Sequence, residues 1–189
     1  MVEIERDTPF FDQSGGGVTF SGGEPLGQPR FLHELLVRCG EHDIHRAVDT
    51  CGFAKPGVVR SVAGEVDLFL FDLKLMDAAE HIEHTGRHNE PILDNLKMLS
   101  EMGCDIQVRV PIIPGVTDGE KNIQAIGRFV AGLPNRHTIT LLGHHATAMD
   151  KYPRFGLSSN LPGGVGSPSR AELSRIAFDL GEHGLEVAY

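Results

Sequence analysis

Short apolar runs alternate with longer amphipathic segments along this chain. Residues 66–74 form a nearly continuous apolar run, as expected of a strand covered on both faces. Apolar positions three or four residues apart, as in residues 29–39, predict helices between the strands. A first short strand is predicted within residues 15–25, ending at the glycine pair Gly22-Gly23. Further strands are predicted at residues 45–50, 106–111 and 138–145, and in the final residues 185–189. The alternation predicts an α/β fold with mostly parallel strands.

Helix starts are marked by polar residues ahead of the amphipathic segments. Asp77 precedes one helix, and Asn89-Glu-Pro precedes the next. Thr117-Asp-Gly-Glu120 and Ser169-Arg-Ala-Glu172 both match the capping-box pattern. These signals predict helices near residues 78, 90, 120 and 170.

Polar residues follow the apolar runs at the point where each strand is expected to end. The first run ends in Gly22-Gly23-Glu24, where two glycines would let a ligand approach the backbone and a carboxylate could accept hydrogen bonds from an ammonium. A tight turn is the alternative. The later runs end in Asp49-Thr50, in Asp72-Leu73-Lys74, at Arg109 and in His144-His145. Parallel strands place such ends at one edge of the sheet, so we expect one shared site.

Composition narrows the functional class. With 189 residues and 40% hydrophobic content, we expect a single domain over residues 1–189. A net charge of −9 argues against a nucleic-acid surface. Because the first residues are acidic and carry no apolar stretch, we expect no signal peptide, no membrane association and a cytoplasmic location. The three cysteines, Cys39, Cys51 and Cys104, are too widely spaced for a C-x-x-C metal signature.

An ordered set of motifs resembles one family, the activating enzymes of glycyl radical enzymes within the radical S-adenosylmethionine superfamily. The matching motifs cover essentially the whole chain. They are Ser14-Gly-Gly-Gly-Val-Thr, Ser21-Gly-Gly-Glu-Pro, Asp49-Thr-Cys-Gly, Asp72-Leu-Lys, Thr85-Gly, Asn89-Glu-Pro-Ile-Leu, Arg109-Val-Pro with Pro114-Gly, Leu141-Leu, and Tyr152. The resemblance implies a partial (β/α) TIM-like barrel that lacks the first βα unit of the family fold.

The resemblance also implies an activity. Family members reductively cleave S-adenosylmethionine at a [4Fe-4S] cluster, and the resulting radical abstracts a hydrogen from a glycine of a partner enzyme. The expected partners are a glycyl radical enzyme of the pyruvate formate-lyase type and an electron donor such as flavodoxin or ferredoxin. The family's C-x-x-x-C-x-x-C cluster loop does not occur in this sequence. We therefore expect that this chain holds no cluster and is inactive as it stands.

Site roles carry over from the family motif by motif. By resemblance, Gly22, Gly23 and Glu24 bind the methionine ammonium, while Asp72, Leu73 and Lys74 line the methionine carboxylate. Asp49, Thr50 and Asp72 resemble an oxygen site for a monovalent cation. Arg109 would meet a carboxylate or the ribose side of the ligand, and His145 would touch the nucleoside. Gly143-His144 departs from the family's usual Pro-Tyr, which puts the His145 contact in question.

Other interpretations stay open at this stage. Asp72 and Lys74 could form an ion pair at the strand ends, Arg109 could pair with Asp72 or Glu24, and His145 could be structural. The chain could be a piece of a working activase, or a cluster-free paralogue that only binds S-adenosylmethionine or the partner. A third hypothesis is an unrelated aldolase-like barrel with Lys74 as a Schiff-base amine.

Overall fold

Six parallel strands form one open sheet in the part of the chain that the structure describes. The structure is a computed structural model, and it describes residues 1–144 and 166–189. The strands are β1 (Gly17–Phe20), β2 (His45–Thr50), β3 (Leu68–Asp72), β4 (Ile106–Ile112), β5 (Thr138–Gly143) and β6 (Val187–Ala188). They lie in sequence order across the sheet. The expected α/β, partial-barrel class is confirmed.

Helices precede, connect and follow these strands. They are α1 (Val2–Arg6), α2 (Thr8–Ser14), a 3₁₀ turn (Pro25–Gly27), α3 (Pro29–Glu41), α4 (Pro56–Ala63), α5 (Ala78–Thr85), α6 (Glu90–Glu101), α7 (Glu120–Ala131) and α8 (Arg170–Gly181). Among the described residues, no helix is long and apolar enough to cross a bilayer.

Two of the predicted helix caps are confirmed, and a third prediction is wrong. Asp77 caps α5 through its carboxylate, and Ser169 with Glu172 forms a complete capping box on α8. The predicted capping box at Thr117 is absent, because α7 begins after Gly119 without a side-chain cap. The Thr117 hydroxyl is used elsewhere, since it donates to Pro111 O at 2.6 Å and accepts from Ile113 N at 2.8 Å.

Several predicted strand limits also needed correction. β3 ends at Asp72, so Lys74 lies beyond the strand. β4 runs to Ile112, which places Arg109 inside a strand and not at its end. Strand β5 stops at Gly143, and the final strand is only two residues long. Helices α1 and α2, which have no buried residues, were not predicted, and neither was α4.

The chain divides into two compact units, and the first comprises Met1–Asp72 with Pro91–Gln107. In this unit β1 pairs with β2 and β2 pairs with β3, with Thr50 opposite Phe71. Its core residues are aliphatic and aromatic side chains that water does not reach, including Leu36, Val48, Val59, Phe69, Phe71, Leu96 and Leu99. This packing fixes the carboxyl ends of β1, β2 and β3.

The second unit comprises Leu73–Glu90 and the described part of Val108–Tyr189. Here β5 pairs with β6, and α7 packs against α8. Its buried side chains include Leu73, Leu75, Val110, Ile112, Ile123, Ile126, Ile139, Ile176 and Leu180. The alternation of buried and partly exposed residues along β4 turns Val108, Val110 and Ile112 inward and leaves Arg109 half-buried on the other side.

Candidate functional site

The Glu24 carboxylate joins the end of β1 to the end of β2. Its Oε1 accepts hydrogen bonds from the Thr50 hydroxyl at 2.6 Å and from Leu26 N at 3.1 Å. Its Oε2 accepts from Cys51 N at 3.1 Å and from the Cys51 thiol at 3.0 Å. Both carboxylate oxygens are therefore held by groups of the protein, so that Glu24 has a fixed orientation.

Thr50 connects Glu24 to the turn that follows β2. It is buried, and its hydroxyl accepts a hydrogen bond from Gly52 N at 2.9 Å while donating to Glu24. Gly52 has a φ of +70°, and an added Cβ there would stand 2.2 Å from the ring of Phe71. Glycine is thus required at this turn, both for its φ and for the space that Phe71 occupies.

The Gly22-Gly23 pair leaves room for a ligand. Gly22 has a φ of +126°, both residues are exposed, and a Cβ built on either would meet no heavy atom within 4 Å. The backbone before Glu24 is therefore open to an approaching group, next to a carboxylate whose position is fixed. This arrangement fits a small cationic group such as an ammonium.

Two further predicted site residues lie at strand ends of the same unit. Asp49 precedes Thr50 at the end of β2, and Asp72 is the last residue of β3. Both are half-buried, and each has interactions within the protein. The structure thus places these carboxylates at the carboxyl ends of neighbouring parallel strands.

In the second unit, Lys74 lies in a segment that side-chain amides hold in place. Asn122 Nδ2 donates to Lys74 O at 2.9 Å, and Asn122 Oδ1 accepts from Met76 N at 2.9 Å. Asn89 Nδ2 donates to Leu75 O at 3.1 Å and to Met76 O at 3.0 Å. Residues 74–76 therefore keep a defined path although β3 has ended.

The remaining predicted site residues are Arg109 and the histidines His144 and His145. Arg109 is half-buried within β4, and its carbonyl accepts a hydrogen bond from Leu73 N at 2.9 Å. His144 N donates to Ile112 O at 3.1 Å, while its buried Nε2 has no hydrogen-bond partner among the described atoms. His145 lies outside the described residues.

The three cysteines do not fit an iron–sulfur cluster. Cys39 is fully buried in α3, where desolvation raises the pKa of its thiol. Burial likewise raises the pKa of the Cys104 thiol, and the Cys51 thiol donates to Glu24. A cluster needs several thiolates that converge on one point, and no group of three or more His, Cys, Asp or Glu in the described part of the chain could hold a metal ion.

Sequence reasoning missed the contribution of Cys51, Asn89 and Asn122. A usable signal existed for Asn122, because it occupies the buried stripe of α7 with Ile123 and Ile126. A polar residue on an apolar stripe has to find buried hydrogen-bond partners. The partners themselves lie 46 and 48 residues away and could not be read from the chain.

Comparison with known proteins shows the superfamily to which the chain belongs. A model of the radical SAM superfamily matches residues 3–125 of the chain. The chain belongs to this superfamily. Its members use S-adenosylmethionine and a [4Fe-4S] cluster. The motifs that the structure brings together at Glu24, Thr50 and Cys51 all lie within the matched range.

Relatives of this chain include activating enzymes of glycyl radical enzymes. The choline trimethylamine-lyase activating enzyme of Oleidesulfovibrio alaskensis is 41% identical over 188 residues, which are 98% of this chain and 60% of that protein. The pyruvate formate-lyase-activating enzyme of Clostridium pasteurianum is 36% identical, over 85% of this chain and 67% of that protein. The chain thus spans about three fifths to two thirds of the length of these relatives.

A solved structure agrees with the fold. The crystal structure of a domain of pyruvate-formate lyase-activating enzyme from Bacteroides vulgatus superposes with a TM-score of 0.78 at 36% sequence identity. The match covers 92% of this chain and 98% of that domain. A unit of this extent therefore exists as a structural domain in a related protein.

Proposed function

We propose that this chain forms the S-adenosylmethionine-binding part of a glycyl radical enzyme activating enzyme. The observation that carries the proposal is the Glu24 network, because it ties the Gly22-Gly23-Glu24 motif to the Thr50-Cys51 motif through hydrogen bonds as short as 2.6 Å. The superfamily match and the activating-enzyme relatives support the same assignment.

The contacts to S-adenosylmethionine follow from the chemistry of each position. The exposed backbone of Gly22 and Gly23 would accept hydrogen bonds from the methionine ammonium, with the negative charge of Glu24 beside it. Because four protein groups already donate to Glu24, its main task would be to shape the glycine turn and supply charge.

The remaining assignments rest on the motifs. In this proposal Lys74 meets the methionine carboxylate, and Arg109 meets a carboxylate or the ribose side. Leu73, expected by resemblance to line the carboxylate, is 1% exposed and only anchors the segment in the core. His145 contacts the nucleoside. The oxygen atoms of Asp49, Thr50 and Asp72 hold a monovalent cation.

The reaction of the complete enzyme would be reductive cleavage of S-adenosylmethionine, followed by hydrogen abstraction from a glycine of the partner. The partner would be a glycyl radical enzyme, and a cytoplasmic flavodoxin or ferredoxin would supply the electron. This chain contributes the residues that bind and orient S-adenosylmethionine. Since its cysteines do not converge, we expect no turnover by the 189-residue chain alone.

Calorimetric titration of the 189-residue chain with S-adenosylmethionine tests the proposal. We expect saturable 1:1 binding that Lys74→Ala weakens by about tenfold, the usual effect of losing one charge-assisted contact. Lys97→Ala is the matched control, because Lys97 is an exposed α6 lysine that lies 3.9 Å from Glu101 in an ion pair. The absence of saturable binding, or equal losses in the two variants, would overturn the assignment.

A further inference from the structure

The segment after β3 is held by a side-chain amide that takes the place of a neighbouring strand. In a parallel sheet, the N–H of one residue donates to a carbonyl of the next strand, and the C=O of the same residue accepts from an amide two residues further along that strand. Asn122 makes this same pair of bonds, to Lys74 O and from Met76 N, both at 2.9 Å. The amide thus continues strand-like pairing two residues beyond Lys74.

Asn89 binds the same segment, residues 74–76, through two further carbonyls. Its Nδ2 donates to the carbonyls of Leu75 and Met76. Asn89 is 3% exposed and Asn122 is 8% exposed. Water therefore has little access to the groups that form these hydrogen bonds. All three carbonyls of residues 74–76 and one amide are satisfied by these two asparagines.

Packing then determines which way Lys74 faces. Leu73 and Leu75 are each 1% exposed, and Leu73 N is bonded to Arg109 O. In an extended segment, alternate side chains point to opposite sides. With Leu73 and Leu75 anchored in the core, Lys74 is directed away from it and remains half-buried.

We propose that Asn122 and Asn89 are positioning residues for Lys74, setting the place at which its ammonium meets the carboxylate of the ligand. The inference rests on the proposed function, because it assumes that Lys74 contacts that carboxylate. Neither asparagine touches the ligand. The affinity for a ligand that lacks the carboxylate should therefore not change when either asparagine is replaced.

The test compares two probes on the 189-residue chain: S-adenosylmethionine and decarboxylated S-adenosylmethionine, which differ only in that group. Asn122→Leu is the main variant, because leucine has a similar size and adds no charge that could repel a carboxylate. We expect affinity for S-adenosylmethionine to fall about tenfold, since the ammonium contact is misplaced, and affinity for the decarboxylated probe to change by less than about twofold.

A double-mutant cycle separates positioning from general damage. In the Lys74→Ala background, Asn122→Leu should produce no further loss of S-adenosylmethionine affinity, because its effect passes through Lys74. Ile176→Val, a buried change in α8, is the stability control and should leave both affinities unchanged. If Asn122→Leu does not fold, Asn89→Ser removes the second set of bonds and the same criteria apply.

Two results distinguish the ways in which these ideas could fail. If Asn122→Leu weakens both probes equally, or adds fully to Lys74→Ala, the asparagines are only structural and the inference is wrong, while the proposed function stands. If the unaltered chain does not bind S-adenosylmethionine at all, the proposed function fails and the inference fails with it.

Discussion

The Thr50 hydroxyl donates a 2.6 Å hydrogen bond to Glu24 Oε1, across 26 positions of the sequence. This bond links the carboxyl ends of β1 and β2, and Cys51 adds two more bonds to the other carboxylate oxygen. The proposed ammonium site is therefore held by a carboxylate that cannot rotate freely.

Replacing Thr50 by valine should both destabilise the chain and weaken the site. The change keeps the side-chain shape but removes the donor to Glu24 and the acceptor for Gly52 N. Loss of a buried, charge-assisted hydrogen bond costs about 1.5–3 kcal/mol of unfolding free energy. Urea unfolding measures the loss, and titration with S-adenosylmethionine should show weaker binding.

Two control variants show whether the loss of stability is specific to the Thr50 hydroxyl. Thr19→Val alters an exposed threonine of β1 and should leave stability nearly unchanged. Cys51→Ala removes only the thiol bond, because the backbone amide of residue 51 still donates to Glu24, and a thiol is a weak donor. A loss of stability for Cys51→Ala as large as that for Thr50→Val would show that the buried Thr50 hydroxyl contributes no more than the Cys51 thiol.

The Arg46–Asp67 pair should make stability depend on pH. Arg46 Nε and Nη2 donate to the two Asp67 oxygens at 2.9 Å each, and Arg46 N donates to Oδ2 at 2.8 Å. Hydrogen bonds from Arg46 hold the pKa of Asp67 below its ordinary value. Since this pKa is lower in the folded state, the stabilisation is fully present above the unfolded-state pKa and is lost as pH falls through the folded-state pKa.

Comparison of the unaltered chain with Asp67→Asn measures this contribution. At pH 7 we expect a difference of only about 1 kcal/mol in unfolding free energy, because the Asp67 side chain is 35% exposed and solvent screens the pair. The difference should shrink once the pH drops below about 4, the ordinary range of aspartate. A difference that stayed constant down to acidic pH would show that the charge of Asp67 contributes nothing.

Gly52→Ala should be strongly destabilising. The residue has a φ of +70°, and its new Cβ would lie 2.2 Å from Phe71 Cζ, so either the ring or the backbone must move. A left-handed conformation costs a non-glycine residue about 1–2 kcal/mol, and overpacking adds about 1–3 kcal/mol. Thermal unfolding would show the combined effect.

Gly57→Ala is the control for the glycine substitution. Gly57 lies in α4, and a Cβ there meets nothing within 4 Å. Because alanine favours a helix over glycine by up to about 1 kcal/mol, this variant should be unchanged or more stable. Similar destabilisation by both substitutions would rule out Phe71 contact as the cause.

Reconstitution of the 189-residue chain with iron and sulfide should leave it without a stoichiometric [4Fe-4S] cluster. Cys39 is fully buried, burial raises the thiol pKa of both Cys39 and Cys104, and Cys51 is bonded to Glu24. Iron and sulfide analysis after desalting provides the measurement. Four irons and four sulfides per chain would show that these cysteines can converge after all.

Periodicity and local motifs were sufficient to predict most elements. The apolar runs predicted β2 and β3 because strands buried on both faces exclude polar residues, and Asp77 and Ser169 marked helix starts because their side chains satisfy free backbone amides close by. The prediction of a capping box at Thr117 was wrong because the hydrogen-bond partners of this side chain are not the nearby helix amides. Its hydroxyl found the backbone of Pro111 and Ile113 across a turn that the local pattern does not reveal.

The sequence alone therefore determined the fold class, the polar residues Glu24, Thr50 and Asp72 that lie at or shortly after strands, and the family, since these depend on local spacing and ordered motifs. Tertiary structure decided how the polar groups are used. Glu24 is held by Thr50 and Cys51, and Lys74 lies in a segment held by Asn122, because hydrogen bonds between residues 26 to 48 positions apart form only once packing brings the elements together. Their partners follow from the buried geometry of the folded chain and not from its local pattern.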